Sequence, residues 1–132
     1  MRISPELFDE MVAHAIQDAP NECCGMIATR GGEAVTVHRA TNTAASPLRY
    51  EIDGAEQYRI QMAIEDEDLE LGGIYHSHTR SEPYPSQTDV NFSGGWPGVE
   101  WIIVGLSKTA EPVVRSFLID DGEVREVDVT VE

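Results

Sequence analysis

Basic charge is scarce in this chain. Nine lysine and arginine residues stand against 24 aspartate and glutamate, a formal charge of -15 over 132 residues, and Lys108 is the single lysine. Such a surface repels phosphate backbones and anionic headgroups, which argues against a nucleic-acid partner and against an anionic membrane. The expected partner is neutral or basic. Cysteine is scarce too: Cys23 and Cys24 are adjacent. Because a vicinal disulfide is strained, no disulfide scaffold is expected, and a reducing compartment fits. No apolar run approaches the roughly 20 residues that span a bilayer. The opening Met-Arg-Ile-Ser-Pro-Glu lacks the regions of a secretory signal, so a soluble cytoplasmic protein is expected.

What is present suits one folded unit. Apolar residues make up 41% and charged residues 25%, close to globular averages, and the length suits a single domain over residues 1–132. Ser4-Pro5-Glu6 reads as a helix start, with Leu7, Phe8, Met11, Val12, Ala15 and Ile16 on one stripe and an end near Asp18. Strands are predicted over Cys24 to Thr29 and Val35 to Arg39, joined by a turn at Gly31-Gly32. After a loop and an extended piece around Tyr50 to Ile52, a second helix is expected from Gly54 to about Asp68, burying Ala55, Tyr58, Met62 and Leu69. A strand from Gly72 to His78 follows, then a proline-rich loop to Pro85 and a short helix capped by Ser86, ending near Gly94-Gly95. Val99 to Leu106 reads as a strand covered on both faces. A hairpin of Val113 to Ile119 and Val124 to Val131, turning at Asp121-Gly122, closes the chain.

His76 and His78 lie two apart on a predicted strand, so both imidazoles face the same side while Ser77 faces away. Asp89 follows eleven residues after His78, at the third position of the short helix, from where its carboxylate can swing back. Two histidines and one carboxylate leave a tetrahedral zinc ion one open position, as in catalytic sites. Each piece also has a plain structural reading. A lone His-x-His on a strand is more often two partly exposed polar residues, Ser86-Gln87-Thr88-Asp89 is an ordinary capping sequence, and Glu22 by itself is a solvated acid. His14 and His38 have no partner pattern and read as structural or surface residues. Cys23 and Cys24 have no histidine near them in sequence, and read as small buried thiols.

The joint order is more specific than its parts. A glutamate before an apolar strand, then His-x-His, seven residues, serine, two residues and aspartate resembles the signature of the JAMM (MPN+) metalloproteases, on Glu22, His76, His78, Ser86 and Asp89. The likeness extends to the Met-Val-Ala-His-Ala helix, Glu22-Cys23-Cys24-Gly25, Asn42, and the stretches Tyr75 to Thr79 and Tyr84 to Val90. It is nearest to the actinobacterial CysO-cysteine peptidase branch. Thr79 stands where many members have proline, a departure that touches loop rigidity and not the ligand set.

The resemblance implies an α/β fold, a mixed sheet flanked by helices in a JAMM or cytidine-deaminase-like sandwich. It implies zinc held by His76, His78 and Asp89, with Glu22 holding and deprotonating the attacking water and Ser86 stabilising the oxyanion. The implied activity is hydrolysis of the amide after the Gly-Gly terminus of a ubiquitin-like sulfur carrier, releasing cysteine for cysteine biosynthesis. Deconjugation of ubiquitin-like modifiers from proteins, hydrolysis of small amides and a non-catalytic MPN scaffold are the alternatives. The short span from Ser86 to Val99 leaves no room for a large insertion, so recognition is expected to centre on the carrier and its extended tail, lying along a sheet edge near the metal.

Overall fold

The computed structural model describes residues 1–106 and 111–132. A two-residue strand β1 (Arg2–Ile3) precedes helix α1 (Pro5–Asp18). Ser4 accepts a hydrogen bond from Leu7 N at 3.3 Å and so caps that helix. Met11, His14 and Ala15 form its buried face, while Ile16 is 56% exposed, outside the stripe expected of it. The stripe is centred one residue earlier because His14 is drawn inward, its Nδ1 lying 2.7 Å from the buried Tyr75 hydroxyl.

Strands β2 (Cys24–Arg30) and β3 (Glu33–Ala40) form the expected hairpin, with Gly31 and Gly32 both at positive φ. Helix α2 (Gly54–Asp66) starts at Asp53, whose carboxylate accepts from Ala55 N and Glu56 N. Its buried face departs from expectation. Ile60 and Ile64 are buried, together with Leu69 beyond the helix, whereas Ala55 is exposed, Tyr58 is 66% exposed and Met62 is exposed. Two isoleucines one turn apart offer a fully apolar face, whereas burying Tyr58 would have required a partner for its hydroxyl.

Strand β4 (Glu70–His78) pairs antiparallel with β2 and parallel with β5 (Glu100–Gly105). The crossover between them carries α3 (Gln87–Phe92) and one 3₁₀ turn, Ser93–Gly95. Strands β6 (Val113–Asp120) and β7 (Glu123–Val127) form the final hairpin around Asp121-Gly122. The single strand expected from Val124 to Val131 is broken. Its end is β8 (Thr130–Val131), which pairs with β1.

The sheet order is β7-β6-β5-β4-β2-β3-β1-β8. Only Asp128 and Val129 separate β7 from β8, a reach of about 10 Å, whereas eight strands laid flat would span roughly 34 Å. The sheet is therefore curled, and its two ends nearly meet. The N-terminal ammonium fastens this closure, donating to Asp128 O at 2.8 Å and Glu100 Oε1 at 3.2 Å.

One core lies on each face. Met26, Ile74 and Trp101 pack with Ile60 and Ile64 of α2, and Ile27, Tyr75 and Ile102 pack with Met11 and Ala15 of α1. Gly25 allows a close approach on the α1 side, since a Cβ there would lie 2.5 Å from the Tyr75 hydroxyl oxygen and closer still to Cε1 of its ring. That ring is fully buried and tied to His14, so it has no free direction to move. Gly25→Ala should lower stability by about 1–3 kcal/mol or more, as overpacking does, read from chemical denaturation. Among the described residues no helix is long and apolar enough to cross a membrane.

Candidate active site

Strand β4 ends in the two histidines, and alternation puts both on the α2 and α3 side of the sheet. His76 sits opposite Cys24 in the β2 ladder, so antiparallel register carries Glu22, two residues before Cys24, alongside His78. Donor atoms of Glu22, His76 and His78 lie within 4.8 Å of one another, and all three residues are buried. The backbone of Glu22 is held on both sides: its N–H donates to Ser46 O at 2.9 Å, and its carbonyl accepts from Asn42 Nδ2 at 3.0 Å. Ser77, facing away, receives Cys23 N–H on its Oγ at 2.8 Å and locks the start of β2 to the end of β4.

Ser86 and Asp89 start α3 by a reciprocal pair of bonds. Asp89 N donates to Ser86 Oγ at 3.1 Å, and Ser86 N donates to Asp89 Oδ2 at 2.9 Å. The same Oδ2 lies 3.2 Å from His76 Nε2 and 3.6 Å from His78 Nε2, and the two Nε2 atoms are 3.0 Å apart. Capping and site assembly are thus one arrangement, because the bond that starts the helix aims the carboxylate at the histidines.

Orientation of each ring has its own cause. His78 Nδ1 donates to Glu82 O at 2.7 Å, which leaves Nε2 as the lone-pair nitrogen in the neutral ring. Tyr50 stacks on His76, with ring centroids 4.6 Å apart. His76 Nδ1 is buried and without a partner among the described residues. Two imidazole nitrogens this close repel unless a cation or proton lies between them. The edges of this donor triangle, 3.0 to 3.6 Å, bracket the separation of about 3.3 Å between ligands around a tetrahedral zinc with bonds near 2.0–2.1 Å. The residues fit a divalent metal ion.

The two carboxylates are driven apart electrostatically. Burial pushes Glu22 up to about 7, with nearby Asp89 adding to the rise and His78 opposing it. Burial would also raise Asp89, but hydrogen bonds from His76, His78 and Ser86 outweigh it and hold that group well below the usual carboxylate range. Burial lowers His76. For His78 burial is outweighed by bonding to Asp89 and the Glu82 carbonyl, and its pKa rises. One acid stays ionised while the other exchanges a proton near neutrality, the division that assigns acid and base roles.

Glu22, His78, Ser86 and Asp89 face a cleft of about 60 Å³, walled by Leu48, Arg49 and Tyr50 on one side and Thr88 and Phe92 on the other. The five residues singled out by sequence are therefore together. Four contributors were not legible as such: the Tyr50 ring, the Glu82 carbonyl, the Asn42 amide and the Thr79 hydroxyl. Thr79 Oγ1 donates to Pro20 O at 2.8 Å, with Pro47 O at 3.3 Å. In place of a stiff proline, a hydroxyl clips the loop after His78 to the loops carrying Glu22 and the cleft wall. His14 and His38 lie outside the cleft; His38 is 2.9 Å from Thr36 Oγ1. Both cysteines are free and buried, with thiols pushed up to about 12 chiefly by burial, so they stay protonated.

A buried His-His-carboxylate triangle at a strand end, with a second carboxylate close to neutral pKa, is the equipment of a metallohydrolase. Comparison with known proteins narrows the class. The pattern of prokaryotic homologs of the JAB domain matches residues 4–120. The chain is 39% identical over 131 residues to the CysO-cysteine peptidase of Mycobacterium tuberculosis, covering 98% of this chain and 89% of that one. It is 34% identical over 140 residues to the desampylase of Haloferax volcanii, covering 100% and 96%. A protein from Desulfitobacterium hafniense solved in solution superposes with a TM-score of 0.87 at 28% identity, over 99% of this chain and 92% of that one. A JAB1/MPN domain protein from Archaeoglobus fulgidus (TM-score 0.61, 18% identity, 98% and 99% covered) and a JAMM metalloprotease-like zinc-site structure (TM-score 0.64, 17% identity, 100% and 97% covered) share the fold. The chain belongs to the prokaryotic JAB family and is a JAMM-type peptidase.

Proposed function

We propose that this peptidase hydrolyses the amide that follows the Gly-Gly terminus of a ubiquitin-like sulfur carrier and releases a single amino acid, cysteine, for cysteine biosynthesis in a reducing cytoplasm. The observation that carries the chemistry is geometric: Asp89 Oδ2 lies 3.2 and 3.6 Å from the Nε2 atoms of His76 and His78, and a second buried carboxylate, Glu22, stands beside the same two histidines. In this reading His76, His78 and Asp89 hold zinc. A zinc ion bound there supplies Lewis-acid polarisation of the scissile carbonyl and acidifies water. Glu22 takes the proton of the attacking water and delivers it to the departing amine, leaving a carrier carboxylate and a free amino acid. Ser86 Oγ already accepts from Asp89 N, so its own proton is free to be donated to the oxyanion.

The substrate is inferred from relatives. Proteins 39% and 34% identical over nearly the whole chain are named as a CysO-cysteine peptidase and a desampylase, and a third, 34% identical over 118 residues, as a probable TtuB-protein conjugate cleaving protease from Thermus thermophilus. Exposed Leu48 and Arg49 and half-buried Tyr50 wall the cleft next to the bridge of Asn42 with Ile52, a strand-like border along which an extended tail can lie. Mass spectrometry of carrier-cysteine incubated with enzyme tests the proposal, with the Glu22→Gln protein as control. Loss of one cysteine mass is expected; intact carrier-cysteine beside efficient cleavage of carrier-protein conjugates would favour the deconjugating alternative that the desampylase relative suggests.

Ser86 separates catalysis from capping. Ser86→Ala should keep the metal and lose roughly 100-fold in turnover if its hydroxyl meets the oxyanion. A drop of only about 1 kcal/mol in stability, with turnover intact, would mean that it serves as a cap alone. Kinetics at saturating zinc and thermal melts read the two effects.

A further inference from the structure

We infer that Arg49 binds the free α-carboxylate of the departing residue and so selects release of a single C-terminal amino acid over cleavage of an isopeptide. This rests on the proposed carrier substrate and concerns the leaving-group side of the same cleft. Among the described residues lining that cleft, Arg49 is the one permanent cation, in company with Glu22 and Asp89 and in a chain of charge -15. A carboxylate entering beside two acids is repelled unless a cation receives it. The guanidinium fork matches a carboxylate in two parallel bonds.

Placement supports the role. Asn42 Nδ2 donates at 3.0 Å both to Glu22 O and to Arg49 O, so one amide group ties the backbone of the arginine to that of the proposed base. Asn42 Oδ1 accepts from Glu51 N at 3.0 Å, fixing the next turn of the same wall. The side chain itself is only lightly engaged: Arg49 Nη1 is 3.3 Å from Glu51 Oε1, with both side chains 57% exposed. Such a surface pair contributes little and is easily exchanged for a ligand. In a hydrolysed α-peptide bond the leaving nitrogen sits two bonds from the α-carboxylate carbon, so both ends fit one small site. An isopeptide nitrogen belongs to a lysine side chain and carries no carboxylate within that reach.

The test uses carrier ending in Gly-Gly-Cys, the same carrier with a C-terminal carboxamide, and wild-type, Arg49→Gln and Arg49→Lys enzymes. Wild type should prefer the free acid by about 10 to 100-fold in kcat/KM, the scale of a charge-assisted contact. Arg49→Gln should lose that factor on the acid and little on the amide, mainly through KM, and Arg49→Lys should recover part of it. Equal cleavage of acid and amide by wild type overturns the inference alone, as does an Arg49→Gln loss of the same size on both substrates. Failure of wild type to cleave either substrate overturns the carrier reading and this inference with it.

Discussion

Glu22→Gln protein should retain one metal per chain and turn over about 100-fold more slowly or worse, the scale of losing a general base. The amide nearly matches the carboxylate in shape, and the backbone bonds of residue 22 to Ser46 and Asn42 do not involve its side chain. The loop therefore stays in place while proton transfer is lost. A metal assay and steady-state kinetics on one preparation check both halves, and full turnover in the variant would remove Glu22 from the mechanism. A pH series on metal-free protein gives a second reading. Burial raises the folded Glu22 pKa from 4.5 to about 7, so folding favours the protonated form. The contribution of this group to stability is fully present below pH 4.5 and is lost as pH rises through about 7. Measured against Glu22→Gln by denaturant titration, wild type should lose relative stability across that window; parallel curves would mean that Glu22 is not desolvated as described.

Asp89→Ala should lose both metal and activity, each by on the order of 100-fold or more, since even outer residues of such sites are worth about 10–100-fold. Two effects combine. The donor triangle loses the oxygen at 3.2 and 3.6 Å from the histidines, and α3 loses the bond that returns from Asp89 Oδ2 to Ser86 N. Asp89→Asn separates them, because the amide oxygen can still accept from Ser86 N while the negative charge is gone. It should keep most of the helix stability and still bind metal poorly. Elemental analysis after dialysis, with thermal melts alongside, reads both quantities; full metal content with full hydrolysis in the alanine variant would refute the ligand assignment.

Much of this site was legible because it is built from local rules. Strand alternation puts His76 and His78 on one face whatever the strand is paired with. A serine followed three residues later by an acid starts a helix and points that acid back to the helix N-terminus, and so Ser86 and Asp89 needed no tertiary information to be linked. The turns at Gly31-Gly32 and Asp121-Gly122 depend only on residues that tolerate positive φ. Resemblance added the far partner, Glu22, which no spacing rule joins to histidines 54 and 56 residues later.

The chain by itself determined where helices α1, α2 and α3 begin, which side of β4 the histidines face, and that an acid stands three residues after a capping serine. These depend on backbone bonding among near neighbours. Tertiary structure alone decided that α2 buries Ile60 and Ile64 and leaves Tyr58 outside, because helix rotation answers to the shape of the sheet beneath it and several apolar stripes were available. It also decided that the two ends of the sheet meet through β1 and β8, that the Glu82 carbonyl sets the free nitrogen of His78, and that Arg49 faces the same cleft as Glu22. The first follows from the curl of the sheet, the second from the path of the loop between His78 and Glu82, and the third from the Asn42 bonds to Glu22 O and Arg49 O. Pairing between distant strands is set by the whole packed core, and no short window of residues encodes it.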